Sequence, residues 1–315
     1  MKSGAGDIAP RGTWQHRPQI MGILNITPDS FFSGSRNMDE DGRVRVDEAV
    51  ERAVGMVREG ADYIDIGACS TRPGSESVSL EEEWRRLGAV LVPVKEAILK
   101  ECRNEDGSVK GDNARKETKD DASKSLKREV KISIDTFRAE IVRRCLGEIG
   151  PVTVNDISAG EDDPGMLPFV GAASLEYIAM HKRGSQTDMQ SLCDYPRGVT
   201  AAVKEYFEDF TVKASALGIR DWILDPGFGF AKTVEQNYEL LKNLGEFKPL
   251  GHRILVGISR KSMIYRPLDL TPEDPRVLEE TTRLHRKAIA LGADILRVHD
   301  VAEARKVLDS NFTLA

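Results

Sequence analysis

The stretch Ile20-Met-Gly-Ile-Leu-Asn-Ile-Thr-Pro-Asp-Ser-Phe-Phe32 begins as a short apolar run. Asn25 interrupts it near its end, and a Pro-Asp turn followed by Gly34-Ser35 stops it. A run of this kind is the pattern of a strand buried on both faces, as in a parallel sheet covered by helices. A polar residue at the end of such a strand needs a partner, from the protein or from a ligand. The same phrase, an apolar strand ending in a polar residue and a loop, recurs down the chain. Its plainest reading is a barrel whose strands end on one shared face.

Working outward, Val46, Ala49, Val50, Ala53, Val54 and Val57 recur at helical spacing and stop at Gly60. Strands are expected at Tyr63–Ala68, Lys131–Thr136, Val152–Ile157, Leu175–His181, Trp222–Gly227, Arg253–Ser259 and Ile295–Asp300. Between them lie helical segments. Ser79-Leu-Glu-Glu82 and Thr233-Val-Glu-Gln236 have the spacing of capping boxes and open two of these, the first running to about Leu99. Glu59-Gly-Ala-Asp-Tyr-Ile-Asp-Ile66 and Leu291-Gly-Ala-Asp-Ile-Leu-Arg-Val298 read as one helix-to-strand corner used twice. Eight strands alternating with eight helices in about 290 residues match a single-domain α/β fold, the (β/α)8 TIM barrel. A doubly wound open sheet is the rival, but no GxGxxG or phosphate loop follows the first strand.

Two segments fall outside this pattern. Residues 1–19 read as a polar N-terminal extension, with the barrel over 20–315. Residues 100–131 are rich in Lys, Glu, Asp, Gly and Ser and read as a charged, disordered surface insertion between helix 2 and strand 3. The 315 residues carry 45 basic and 51 acidic side chains, a net charge of −6, so no bias toward nucleic acid appears. Four scattered cysteines without a CxxC pair suit reduced thiols, and with no signal-like or membrane-spanning apolar run a cytoplasmic protein is expected.

A barrel places its active site at the C-terminal ends of its strands. Those ends supply Asn25, Ser70-Thr71-Arg72, Asp135, Asn155-Asp156, His181, Asp225, Ser259-Arg260-Lys261-Ser262, and Arg297 with His299. Each alone has a dull explanation as a helix cap or a satisfied structural group. Together they would cost kilocalories each to bury unless paired. Asp135, Asn155 and Asp225 suit a flat heterocycle bearing several N–H donors. Arg72, Lys261, Arg297 and His299 offer positive charge suited to phosphates. No nucleophile–base pair and no metal-binding motif stands out, which favours catalysis by positioning and charge.

The strings MGILNITPDSF, STRPG, ISIDT, VNDIS, DPGFGF, GISRKS and RVHD, in this order, resemble the dihydropteroate synthase family from Ile20 to about Val307. The resemblance implies a folate-pathway transferase and sulfonamide target. It would condense 6-hydroxymethyl-7,8-dihydropterin diphosphate with 4-aminobenzoate, releasing pyrophosphate, with Mg2+ on the diphosphate. It implies Asp225, Asn155, Asp135, Lys261 and Arg297 on the pterin, and Asn25, Arg72 and His299 on the diphosphate, with Asn25 at the metal. It implies Thr71, Pro73, Phe230, Lys261 and Ser262 around aminobenzoate. Asp135, Lys261 and Arg297 would be the catalytic residues, and the assembly a homodimer.

Three positions depart from the family's pattern. Cys69 stands where Glu or Gln is usual, and Ala231 where Gly is usual, a small steric change. The segment Met180-His-Lys-Arg-Gly-Ser-Gln-Thr-Asp-Met-Gln190 carries Lys182 and lacks a proline, which bears on any role for His181 and Arg183. The alternatives are a pterin-dependent methyltransferase, which would need neither STRPG nor SRKS, and a non-catalytic paralogue, which should have lost several of the central Asp residues or cations.

Overall fold

The computed structural model describes residues 17–27, 43–69, 78–102, 129–185 and 188–312. Eight parallel strands close a barrel in sequence order. They are β1 (Gln19–Asn25), β2 (Tyr63–Gly67), β3 (Lys131–Asp135), β4 (Thr153–Asp156), β5 (Tyr177–Met180), β6 (Trp222–Asp225), β7 (Arg253–Val256) and β8 (Ile295–Val298). The helices are α1 (Val46–Arg58), α2 (Leu80–Glu101), α3 (Ala139–Ile149), α4 (Met166–Ala173), α5 (Val199–Ala216), α6 (Val234–Lys242), α7 (Ser262–Tyr265), α8 (Pro275–Ala290) and α9 (Val301–Phe312). The short α7 was not expected from periodicity; four residues are too few to show one.

The apolar runs divide by parity, because successive strand side chains face opposite ways. Ile20, Leu24, Ile64, Ile66, Val154, Leu224 and Val256 face outward into the large core shared with the helices. Met21, Tyr63, Ile178, Ile223, Leu255 and Ile295 form a separate cluster. Their register, Met21 beside Tyr63 and Leu255 beside Ile295, makes that cluster a layer inside the barrel. Each such side chain, fully buried, contributes about 1.5–3 kcal/mol. A filled middle layer also means that the polar groups above it stand on a solid floor.

The repeated corner does the same work twice. Asp62 accepts a hydrogen bond from Ile20 N at 2.8 Å and donates its own N–H to Ile20 O at 2.8 Å. Asp294 does the same to Ile254, with both distances 2.8 Å. Gly60 and Gly292 turn each corner at φ of 103° and 111°, a backbone region that favours glycine.

Of the two expected capping boxes, Thr233 with Gln236 forms both halves. Ser79 accepts from Glu82 N, but the Glu82 carboxylate pairs with Arg85 and Arg86 instead.

Two expected boundaries move. α2 runs to Glu101 rather than ending near Leu99, because Ile98 is buried and Glu101 pairs with Arg58 of α1 at 2.9 Å. Lys131 already belongs to β3 and Gln19 to β1, so the regular fold claims both ends of the proposed insertion and the last residue of the proposed extension. Residues 1–16 and 103–128 lie outside the described residues.

Candidate active site

Parallel strands bring all their C-terminal ends to one face. Register makes this specific: Asn25 pairs with Gly67, Gly67 with Asp135, and Asp135 with Asn155. Three expected site residues therefore share one rung across β1 to β4. Further round, Asp225 ends β6 beside Met180.

Arg297, on β8, reaches across the barrel to this rung. Its Nε donates to Asp65 Oδ2 at 2.7 Å and its NH2 to Asp135 Oδ2 at 2.7 Å. Asn155 Nδ2 donates to the same Asp65 oxygen at 3.0 Å. One guanidinium thus serves two buried carboxylates. Burial pushes Asp135 up to about 7 against the pull of Arg297, and the Asp65 charge adds to the rise. Arg297 stays charged, since both carboxylates favour its cation.

Asp225 is fixed by its loop. Its Oδ1 accepts from Gly227 N at 2.8 Å, while burial pushes its pKa up. Gly227 has φ of 72°, and a Cβ there would run into the His181 carbonyl. The loop then wraps two lysines. Lys232 Nζ donates to Gly227 O at 3.0 Å and Phe230 O at 2.9 Å, and meets His181 Nδ1 at 3.0 Å. Lys261 Nζ donates to Phe228 O at 2.6 Å and lies 5.0 Å from the Phe230 ring centre. Burial lowers Lys232 to about 7 and Lys261 to about 8, with Asp225 opposing both shifts. Lys261 is therefore mostly cationic at neutral pH and stands between Asp225 and Phe230.

Several expectations need correction. His299 was expected as a positive charge. Burial and then the Arg297 cation hold it down to about 3, so it offers a neutral ring, its Nδ1 3.3 Å from Ser259 Oγ. Arg260 does not face the site; it is buried and forks onto Asp300 at 2.8 and 3.0 Å, bracing the β7 and β8 loops together. His181 is buried against Lys232 and edge-on to Tyr206 at 5.0 Å, and its pKa lies well below the usual range because of burial. Ala231, expected to matter by its size, matters by its backbone: it sits at φ of 48°, where an L side chain is strained. Lys182 pairs with Asp162 at 2.6 Å, and Arg183 stacks on Tyr195 at 4.0 Å. These two line a cavity of about 630 Å3 on the flank of the mouth, between the β5 loop and α5. Ser262 opens α7, half-buried beside Lys261. Cys69 is half-buried with its thiol pushed up by burial. Thr71, Arg72 and Pro73 lie outside the described residues.

Asp65 and Lys232 were missed. Asp65 sits inside the apolar string Tyr-Ile-Asp-Ile, where an acid among apolar neighbours is itself a signal, though strand-end polarity does not reach it. Among the described residues no cluster of three or more His, Cys, Asp or Glu could hold a metal ion.

The pterin binding enzyme family matches residues 21–102 and 120–299. A dihydropteroate synthase of Synechocystis is 39% identical over 302 residues, covering 94% of this chain and 91% of that protein. The chain belongs to the dihydropteroate synthase family. Membership makes it a transferase. The Escherichia coli dihydropteroate synthase is 35% identical over 301 residues, with 94% and 92% covered. The crystal structure of a Clostridium difficile dihydropteroate synthase, obtained in the presence of pteroic acid, has a TM-score of 0.75 at 33% identity, covering 95% of this chain and 97% of that one. That of Thermus thermophilus, in complex with 4-aminobenzoate, has a TM-score of 0.71 at 33% identity, with 95% of each chain covered.

Proposed function

We propose that this chain condenses 6-hydroxymethyl-7,8-dihydropterin diphosphate with 4-aminobenzoate to 7,8-dihydropteroate and pyrophosphate, a step of folate biosynthesis. The observation that carries the reading is the convergence of Asp135, Asn155, Asp225, Lys261 and Arg297 at the barrel mouth. There, acceptors for N–H groups adjoin cations. Asp225 would accept two parallel hydrogen bonds from the aminopyrimidine edge of the pterin. Asn155, whose Nδ2 is taken by Asp65, would present its carbonyl oxygen to a further N–H. Lys261 would meet the pterin carbonyl side, and Arg297 would lie on the ring face.

The reaction breaks the C–O bond between the pterin methylene and diphosphate and forms a C–N bond to the arylamine. The amine then loses a proton to solvent. As the leaving group departs, the methylene becomes cation-like, and the Asp135 carboxylate would stabilise it. Arylamine nitrogen is neutral at pH 7, so no strong base is needed. His299 would donate to a phosphate oxygen, with Arg72 as a cationic partner. Thr71, Pro73, Phe230 and Ser262 would border aminobenzoate, with Ser262 near its carboxylate.

Mg2+ usually keeps several waters and takes one or two protein oxygens plus substrate phosphates. The single amide of Asn25, half-buried at the end of β1, fits that modest demand. The ion would neutralise charge on the departing diphosphate.

The enzyme would act in the cytoplasm as a homodimer; its four scattered cysteines, without a CxxC pair, fit a reducing compartment. No helix among the described residues is long and apolar enough to cross a membrane. The convergence of acceptors and cations counts against a non-catalytic paralogue. Pyrophosphate release from the pterin diphosphate, strictly dependent on 4-aminobenzoate, is the expected result of an assay. Release without aminobenzoate, or none with it, would overturn the proposal.

A further inference from the structure

The repeated corner places Asp65 and Arg297 at matching positions, each five residues after its glycine, on the two strands that flank β1. Asp65 is fully buried. A single oxygen, Oδ2, takes both Arg297 Nε and Asn155 Nδ2. The other, Oδ1, is buried without a partner among the described residues, as is the hydroxyl of Ser133, its register neighbour on β3. A buried carboxylate with half its acceptor capacity idle is a poor way to stabilise a barrel, since burying charge is costly unless every lone pair is used.

We propose that Asp65 is a positioning residue for the transfer reaction: it holds Arg297 by its Nε edge and forces Asn155 to present its carbonyl oxygen to the bound ring. The inference rests on the pterin reading of the site given above. A carboxylate can only accept, so the Asn155 amide must turn its NH2 inward and its oxygen outward. A neutral neighbour able to donate as well would leave the amide free to flip and show a donor to the ring's N–H groups. Holding Nε also leaves the NH2 end of the guanidinium for Asp135, which fixes the plane of Arg297. The Asp65 charge bears on Asp135 as well. Asp135 is faced by Asp65 from β2, Glu83 from α2, Asp156 from β4, Arg297 from β8 and Lys261 from the β7 loop. Of these, Asp65 is the acid that shares its arginine.

Asp65→Asn is the direct test, read by calorimetric titration with 6-hydroxymethylpterin. We expect a folded protein that binds at least about tenfold more weakly, because a misdirected buried donor replaces an acceptor. In an Asn155→Ala background the same substitution should cost much less, since the residue it acts through is gone. The acid limb of pterin binding should move to lower pH by about one unit, because Asp135 loses a neighbouring negative charge. A purely structural Asp65 would change the melting temperature and leave the coupling and the pH profile untouched. If Asp65→Asn does not fold, Asp65→Ser keeps an acceptor in a smaller side chain, and the same coupling to Asn155 is expected of it. Wild-type affinity in folded Asp65→Asn alongside weak binding by Asn155→Ala would overturn the inference and leave the site intact. Wild-type affinity in Asn155→Ala would overturn the pterin reading itself.

Discussion

The two ends of the barrel use the same kinds of charged side chain to opposite effect. At the N-terminal ends of the strands, Glu176 accepts from Arg253 at 2.7 Å, Lys131 at 2.8 Å and Thr153 at 2.6 Å, while Arg253 also reaches the Tyr63 hydroxyl at 3.1 Å. One buried carboxylate meets two cations, and Arg253 has a second, more exposed partner in Asp221 at 3.0 Å. Burial pushes Glu176 up, but these bonds outweigh it and hold the carboxyl below its usual value. At the C-terminal ends the ratio is reversed. Two carboxylates share Arg297, Asp135 is pushed up to about 7, and Lys261 down to about 8. The lower network is complete without a ligand. The upper one carries charges that the N–H groups of a bound heterocycle and a diphosphate would satisfy. Strain collected at one end and settlement at the other is the pattern expected of a barrel enzyme, with stability below and chemistry above.

The largest expected effect on stability lies at the lower end. Glu176→Ala leaves Arg253 and Lys131 without their shared partner, which should cost about 2–4 kcal/mol, discounted for the partial exposure of both cations. In a thermal melt that is a fall of roughly 3–6 °C. Pterin affinity of the folded protein should stay within about twofold, since additivity holds for distant sites. A large loss of affinity would show that the two ends are coupled.

A smaller effect separates the ends by pH. Asp135 has a folded pKa near 7, above its unfolded value near 3.8. A raised carboxylate favours the folded state when protonated, so its contribution to stability is lost as pH rises between those values. The melting temperature of Asp135→Asn relative to wild type should therefore be more favourable at pH 8 than at pH 5. Equal differences at both pH values would mean that Asp135 is not perturbed. For Glu176, held low, the sign is opposite: its contribution is present above the usual carboxylate range and lost as pH falls through its lowered pKa.

The smallest effect concerns Ala231, buried at positive φ in the loop that carries Phe230. Ala231→Gly should relieve backbone strain and stabilise by about 0.5–1 kcal/mol, read from denaturant midpoints. A destabilised glycine variant would mean that the Cβ packs well enough to offset its backbone.

Periodicity and strand-end polarity made the barrel and most of its mouth legible from sequence, because parallel strands bring their C-terminal residues together wherever they lie in the chain. Asn155 and Asp225 could be read as acceptors for this reason. What could not be read was pairing. Nothing in the string Arg-Val-His-Asp300 tells that His299 is neutral beside Arg297, or that Arg260 turns away to Asp300. Asp65 escaped because it stands two residues before the strand's end, on the inner face, and its role depends on a side chain 232 positions away. Lys232 carried no signal in the sequence, and only the fold shows it gathering the carbonyls of Gly227 and Phe230.

The central claim is that the upper end is a pterin pocket whose acceptors are held in place before the ligand arrives. Asp225 tests it most directly, since its carboxylate is buried, fixed by Gly227 N, and unfavourably charged in the absence of a partner. Asp225→Asn can keep the bond to Gly227 but turns a donor toward the ring's N–H groups. Losing a buried charge-assisted pair typically costs about 2–5 kcal/mol. Calorimetric titration with 6-hydroxymethylpterin should show binding at least about 30-fold weaker, with a melting temperature equal to or above that of the wild type. Near-wild-type affinity in the folded variant would contradict the claim and take Asp225 out of the pocket.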